Sequence, residues 1–169
     1  LAGLTNPVQM VMFTRTSECQ YCAETEQLVE EVAALSEQVT TKIYDLMTDA
    51  KEADNLGVDK APAIAIIGAE DYGVRFYGIP AGYEFVSLLH ALKVVAAGKP
   101  ELNQESLDAL DEVKDPVHIQ VFVTPTCPYC QHSVMLAHQM AVASPLVRAD
   151  MVEATEFPQL SHKYHVMGV

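Results

Sequence analysis

Basic residues are scarce. Ten Lys and Arg stand against 23 Asp and Glu in 169 residues, a formal net charge of −13. Such a surface repels phosphate backbones and anionic lipid, which argues against nucleic-acid and membrane-surface binding. Long apolar runs are also missing, and none approaches the ~20 residues that span a bilayer. The chain carries no phosphate loop, no dinucleotide fingerprint and no Ser-His-Asp set at useful spacing. Leu1 rather than Met opens it, so its start carries no weight about location. What is present is 50% hydrophobic and 20% charged, a composition with enough apolar surface for a core. The length suits one large domain or two small ones.

No cysteine is left over. Cys19, Cys22, Cys127 and Cys130 form two Cys-x-x-Cys pairs, Cys-Gln-Tyr-Cys and Cys-Pro-Tyr-Cys. Two tight pairs point to redox chemistry or to a metal. The sequence around them repeats. Asn6-Pro7-Val8 up to Phe13 matches Asp115-Pro116-Val117 up to Phe122 at an offset of 109, and the cysteine pairs repeat at 108. This is one unit duplicated.

In the first copy Val8–Phe13 reads as a buried strand and Thr14–Glu18 as a polar turn. From Cys22, apolar residues fall at Leu28, Val29, Val32 and Leu35, which is helical spacing with glutamates on the other face. Strands are expected at Thr41–Leu46, Ala63–Ile67 and Val74–Tyr77. A short helix is expected at Asp49–Leu56 with Asp49 as its N-cap. A longer one at Tyr83–Ala97 stops at Gly98 and Pro100. In the second copy Val117–Val123 and Leu146–Glu153 read as strands, and Cys130–Ala143 and Phe157–Tyr164 as helices. Leu102–Val113, with Leu107, Leu110 and Val113 in a stripe, is an acidic connecting helix, and Leu1–Leu4 is the expected stub of its counterpart. At the repeat offset the partner of Pro62 would fall at position 170, so about 36 residues of the first copy, Pro62 to Gly98, have no counterpart. The chain is therefore expected to be a fragment of a longer protein.

A Cys-x-x-Cys where a strand meets a helix does specific work. Unpaired N–H groups at the helix start favour a thiolate on the first cysteine, and placement of this kind lowers a thiol pKa from ~8.5 to between ~3.5 and ~7.5. The second cysteine, on the first helical turn, attacks the mixed disulfide and releases the substrate. Pro128 suits a helix start, where its missing N–H is not needed.

Cys127-Pro128-Tyr129-Cys130 resembles the active-site tetrapeptide of glutaredoxins. Together with Cys19-Gln20-Tyr21-Cys22, Thr124-Pro125-Thr126, Ala61-Pro62, Gly73-Val74-Arg75-Phe76, Gly78-Ile79-Pro80-Ala81-Gly82 and Asp150-Met151-Val152-Glu153-Ala154, the whole chain resembles the glutaredoxin-like protein disulfide oxidoreductases of thermophilic archaea and bacteria. The resemblance implies an α/β fold of two tandem thioredoxin-fold (glutaredoxin-like) units, the second truncated. Residues 1–98 are the first unit, 99–114 the connecting helix and 115–169 the second. It implies reduction, oxidation or isomerisation of protein disulfides, with Cys19 and Cys127 as nucleophiles and Cys22 and Cys130 as resolving thiols. It also implies a cis peptide before Pro62, facing the first pair. Ala61 and Pro62 would then contact substrate, as would Tyr21 and Tyr129, which could instead shelter the helix starts. The partners implied are protein disulfides or dithiols and a flavin-dependent reductase of the thioredoxin-reductase type. The location implied is cytoplasmic, and no bound cofactor or metal is required. Each disulfide is expected within its own pair.

Other readings compete. Two Cys-x-x-Cys knuckles form a Cys₄ zinc site when ~15–20 residues separate them. Here residues 23–126 intervene. A thiol relay attached to a peroxide-reducing flavoprotein would use a similar tandem, but such relays usually keep one working pair. His162 and His165 lack a third ligand nearby. His132 is expected to face solvent, and Met135 and Met140 to fill the core.

Overall fold

The computed structural model describes residues 1–169 except Ala2 and Thr5. The first strand shows how the sequence builds the layers. In β1 (Val8–Thr14), Val8, Met10 and Met12 point to one face and Val11 and Phe13 to the other, and all five are buried. A strand buried on both sides needs helices above and below it. These come from α1 (Cys22–Ala33) and, after β2 (Val39–Asp45), α2 (Ala50–Leu56). Then follow β3 (Ala63–Ile67), β4 (Val74–Tyr77), α3 (Glu84–Ala97) and α4 (Gln104–Asp111). The second copy supplies β5 (Val117–Val123), α5 (Cys130–Ala143), β6 (Val147–Glu153) and α6 (Pro158–Lys163).

Among the described residues these strands form one sheet in the order β2-β1-β3-β4-β6-β5. β1 runs parallel to β2 and antiparallel to β3, and β3 is antiparallel to β4. The two copies join where β4 and β6 pair in parallel, Val74 to Ala149 through Tyr77 to Val152. On one face Met10, Met12, Ile64, Ile66, Phe76 and Met151 pack with Val29, Leu88, Leu92 and Val134 of α1, α3 and α5. On the other, Val11, Phe13, Ala65, Tyr77 and Val152 pack with Ala53 and Phe157. Fully burying a side chain of this size contributes about 1.5–3 kcal/mol. The two copies expected from the sequence are therefore present, and they share one sheet and contribute to the core on both of its faces.

A polar cluster reinforces the join. Arg148 on β6 donates to the Tyr77 hydroxyl at 2.7 Å and to the Gly57 carbonyl at 2.9 Å, both in the first copy. Asp150 accepts from Arg148 at 3.0 Å and meets His118 Nε2 at 2.5 Å. Burial pushes the Asp150 carboxyl up, but the His118 hydrogen bond and the Arg148 charge outweigh it and hold the pKa below its ordinary value.

Several boundaries differ from the expected ones. β2 begins at Val39, two residues early, because it is an edge strand whose buried Val39 is followed by exposed and half-buried polar residues that hide the strand pattern. α1 ends at Ala33, so Leu35 leaves the helical stripe and is 70% exposed, while Thr25 is buried beside Cys22, Val29 and Val32. Asp49 holds the N-cap position of α2 but makes no side-chain cap, accepting instead from the Asp45 N–H at 2.9 Å. The connecting helix is confined to Gln104–Asp111. Asn103 caps it by accepting from the Ser106 N–H at 2.9 Å. Leu107 and Leu110 of its expected stripe are half-buried, and Val113, also half-buried, falls beyond the helix end. The stub expected at Leu1–Leu4 includes Ala2, which lies outside the described residues. Among the described residues no helix is long and apolar enough to cross a membrane.

Candidate redox sites

Each cysteine pair sits between a strand and a helix, as the spacing requires. The chain leaves β1, turns through Glu18 in the left-handed region (φ 56) and starts α1 at Cys22. Cys19 and Cys22 form one disulfide and Cys127 and Cys130 the other. In both, the first cysteine is half-buried and the second enclosed, with Cys22 4% and Cys130 8% exposed. The first cysteine of each pair is the more accessible residue. No set of three His, Cys, Asp or Glu among the described residues converges on a metal position.

The two starts differ electrostatically. At the second, the Cys130 N–H donates to Cys127 Sγ at 3.2 Å, the helix-terminal contact that favours a thiolate on the first cysteine. At the first, the bond to sulfur goes to the inner atom, from the Arg15 N–H to Cys22 Sγ at 3.4 Å. Tyr21 precedes α1 half-buried, its carbonyl accepting the Thr25 hydroxyl at 2.6 Å. Tyr129 is 81% exposed, so it does not shelter the start of α5.

Ala61 and Pro62 are joined by a cis peptide bond and share a groove of about 540 Å³ with Glu18, Cys19 and Gln20. The Gly78 N–H donates to the Pro62 carbonyl at 3.0 Å and ties that corner to β4. The far wall comes from the second copy: Thr155, Glu156 and Pro158. A second groove, about 370 Å³, is lined by Thr124, Thr126, Cys127, Pro128, Tyr129 and Ser133, with Val169 at its rim.

Sequence reasoning did not single out Glu156. Its Oε1 accepts the Ile79 N–H at 2.7 Å. Partial burial, with Glu153 and Glu24 nearby, outweighs that bond and pushes its pKa up to about 7. It missed Glu84 as well, buried at the start of α3 with Ser87 donating to it at 2.6 Å, its pKa raised by burial. Neither acid carries a local signal, because each is defined by tertiary neighbours. The side readings resolve simply. His132, His162 and His165 are exposed; Met140 packs half-buried against the core as expected, whereas Met135 is half-buried outside both core clusters.

This geometry is that of a dithiol/disulfide protein of the thioredoxin class. A family model described as "Thioredoxin domain" matches residues 9–90 and 117–169, and the chain belongs to that family. Among solved structures, a protein disulfide oxidoreductase from Aeropyrum pernix is 30% identical with a TM-score of 0.91, covering 99% of this chain and 76% of that one. The alkylhydroperoxide reductase protein AhpF of Enterococcus faecalis is 27% identical with a TM-score of 0.89, covering 98% of this chain and 79% of that one. An alkyl hydroperoxide reductase protein of Staphylococcus epidermidis is 28% identical over 86% of this chain and 26% of its own length. A protein called NADH dehydrogenase in Bacillus subtilis is 26% identical over 84% and 26%. The chain thus spans about a quarter of the length of the curated relatives it matches.

Proposed function

We propose that this chain is a thiol–disulfide oxidoreductase that reduces, oxidises or isomerises protein disulfides through its two Cys-x-x-Cys centres. The observation that carries the reading is the paired geometry: a half-buried first cysteine bonded to an enclosed second one at both helix starts, the first pair beside Ala61 and Pro62. In the reducing direction the Cys19 thiolate attacks a substrate disulfide. A Cys19–substrate bond forms, the substrate S–S bond breaks, and the leaving sulfur takes up a proton. Cys22 gives up its proton and attacks Cys19 Sγ, closing the Cys19–Cys22 bond and releasing the second substrate thiolate. Two electrons pass to substrate, and a donor dithiol restores the centre. Cys127 and Cys130 play the same parts. Ala61 lies two residues before β3, across the cis bond to Pro62, where its backbone can pair with an extended substrate segment. Tyr129 lines the second groove with Cys127, and Tyr21 directly precedes Cys22 outside the lining of the first; both serve as substrate contacts. Residues 1–98 and 115–169 act as the two units, joined by 99–114. The donor is a flavin-dependent reductase of the thioredoxin-reductase type, and the setting is the cytoplasm, both inferred from the resemblance.

Turnover of a peptide disulfide with dithiothreitol as reductant tests this. Single Cys19→Ser and Cys127→Ser variants should each lose part of the activity and the double variant all of it. Activity that survives the double variant would defeat the reading.

A second reading is favoured by the alkyl hydroperoxide reductase relatives: a relay that takes electrons from a flavin and passes them to a peroxide-reducing partner. Two intact cysteine pairs speak for the first reading. Rapid oxidation by a peroxidase, with slow turnover of protein disulfides, would favour the second.

A further inference from the structure

The groove beside the first disulfide is not made by the first unit alone. Glu156 lies in the turn after β6, yet it borders Cys19 and Pro62, which belong to the other unit. Its place is held from two sides. The Ile79 N–H grips Oε1 at 2.7 Å. Gly78 makes the room, because a Cβ there would stand 2.8 Å from Oε1 and 2.5 Å from the Glu153 Cβ, and its φ of +90 suits glycine alone. The charged side chains lining the groove are Glu18 and Glu156, both acidic. Arg15 sits 3.8 Å from Glu18, and Lys60 is taken up by Asp59 and the Tyr77 ring. The groove therefore presents negative charge and fixed backbone beside the more accessible cysteine.

We propose that Glu156 is a specificity-determining residue of the first centre, contributed across the unit boundary, and that it selects substrate disulfides flanked by a basic residue over those flanked by acidic ones. The inference rests on the proposed disulfide chemistry at Cys19. An ionised Glu156 attracts a Lys or Arg entering between Pro62 and Pro158 and repels a carboxylate there. The acids that face Glu156 are Glu153 from β6, Glu24 from α1 and Glu18 from the turn before Cys19. Because it titrates near neutrality, its charge, and the preference with it, is lost as pH falls below about 7.

The test uses the Cys127→Ser chain, so that only the first centre turns over, and two peptide disulfides identical except for Arg or Glu beside the cysteine. Assays at about 0.15 M salt screen the long-range field of the chain. The kcat/KM ratio cancels the shared dependence on the Cys19 thiolate. We expect the Arg peptide to be preferred roughly fivefold near pH 8, with the preference fading near pH 6. Glu156→Gln, which retains an acceptor for the Ile79 N–H, should bring the ratio to within about twofold of unity and remove its pH dependence. Glu112→Gln, an exposed acid outside the groove, should leave the ratio unchanged. A Glu156→Gln ratio equal to that of the parent, or an equal fall in Glu112→Gln, overturns the proposal while the disulfide chemistry stands. Absence of Cys19-dependent turnover with either peptide defeats both. A mixed disulfide trapped in Cys22→Ser, more of it with the Arg peptide at about pH 8, supports the proposal independently of turnover.

Discussion

At the scale of single residues, the buried ionisable groups give the fold its pH dependence. His138 is fully enclosed in α5. Its Nε2 lies 3.3 Å from the Arg75 carbonyl and its ring stands edge-on to Phe76. Nδ1 has no partner. Burial pushes its pKa down to about 4 from 6.5. The folded state therefore resists the proton that the unfolded chain accepts, and stability is lost as pH falls from 6.5 towards 4. The loss at about pH 5 should be about 2 kcal/mol. Urea unfolding near pH 7 and pH 5 measures it, and in His138→Leu the difference between the two should shrink by that amount. Glu156 acts with the opposite sign. Its raised pKa means that stability falls as pH rises from 4.5 towards 7, so Glu156→Gln should be more stable relative to the parent at pH 8 than at pH 4.

At the scale of elements, the starts of α1 and α5 are not equivalent. The backbone N–H of Cys130 points at Cys127 Sγ, whereas Cys19 faces the acids Glu18 and Glu156. A donor lowers a thiol pKa and neighbouring negative charge raises it. In the reduced protein Cys127 should therefore alkylate at a lower pH than Cys19, and a pH series of alkylation rates with peptide mapping reads this directly. The loop before α3 is equally constrained. Gly82 has φ +60, and a Cβ there would lie 2.2 Å from the Pro125 carbonyl oxygen, next to the bond from the Tyr83 N–H to that oxygen at 3.1 Å. Gly82→Ala should cost about 1–3 kcal/mol in thermal or urea unfolding, since backbone on both sides has to move.

At the scale of the molecule, the sheet treats the two centres differently. β1, which leads to Cys19, is paired on both sides, by β2 and β3. Among the described residues β5, which leads to Cys127, is paired only with β6. The first groove is closed by Ala61, Pro62 and a wall from the other unit, and the second is lined mainly by its own turn. Cys19→Ser should therefore remove most of the peptide-disulfide turnover of this chain, and Cys127→Ser the smaller share. Steady-state rates of the two variants with a neutral peptide disulfide check the order, and the reverse order would assign the work to the second centre.

Much of this architecture was legible in the residues. The two copies are written in a motif repeat at 108–109 residues, and the strands at Val8, Ala63, Val74 and Val117 and the helices after Cys22 and Cys130 in local periodicity. The spacing of three within each cysteine pair, set in a duplicated unit, determined which sulfurs bond. The strands and helices depend on neighbours within a few turns or a few strand residues, where burial imposes a period of 3.6 or 2. The pairing of β4 with β6, the reach of Arg148 to Tyr77 and Gly57, and the position of Glu156 opposite Cys19 were decided only by the tertiary structure. They join residues 71 or more positions apart across the unit boundary. No period relates such residues along the chain, and the acids look like others in a sequence with 23 of them. Their burial, and hence their chemistry, arises when the second unit closes the sheet against the first.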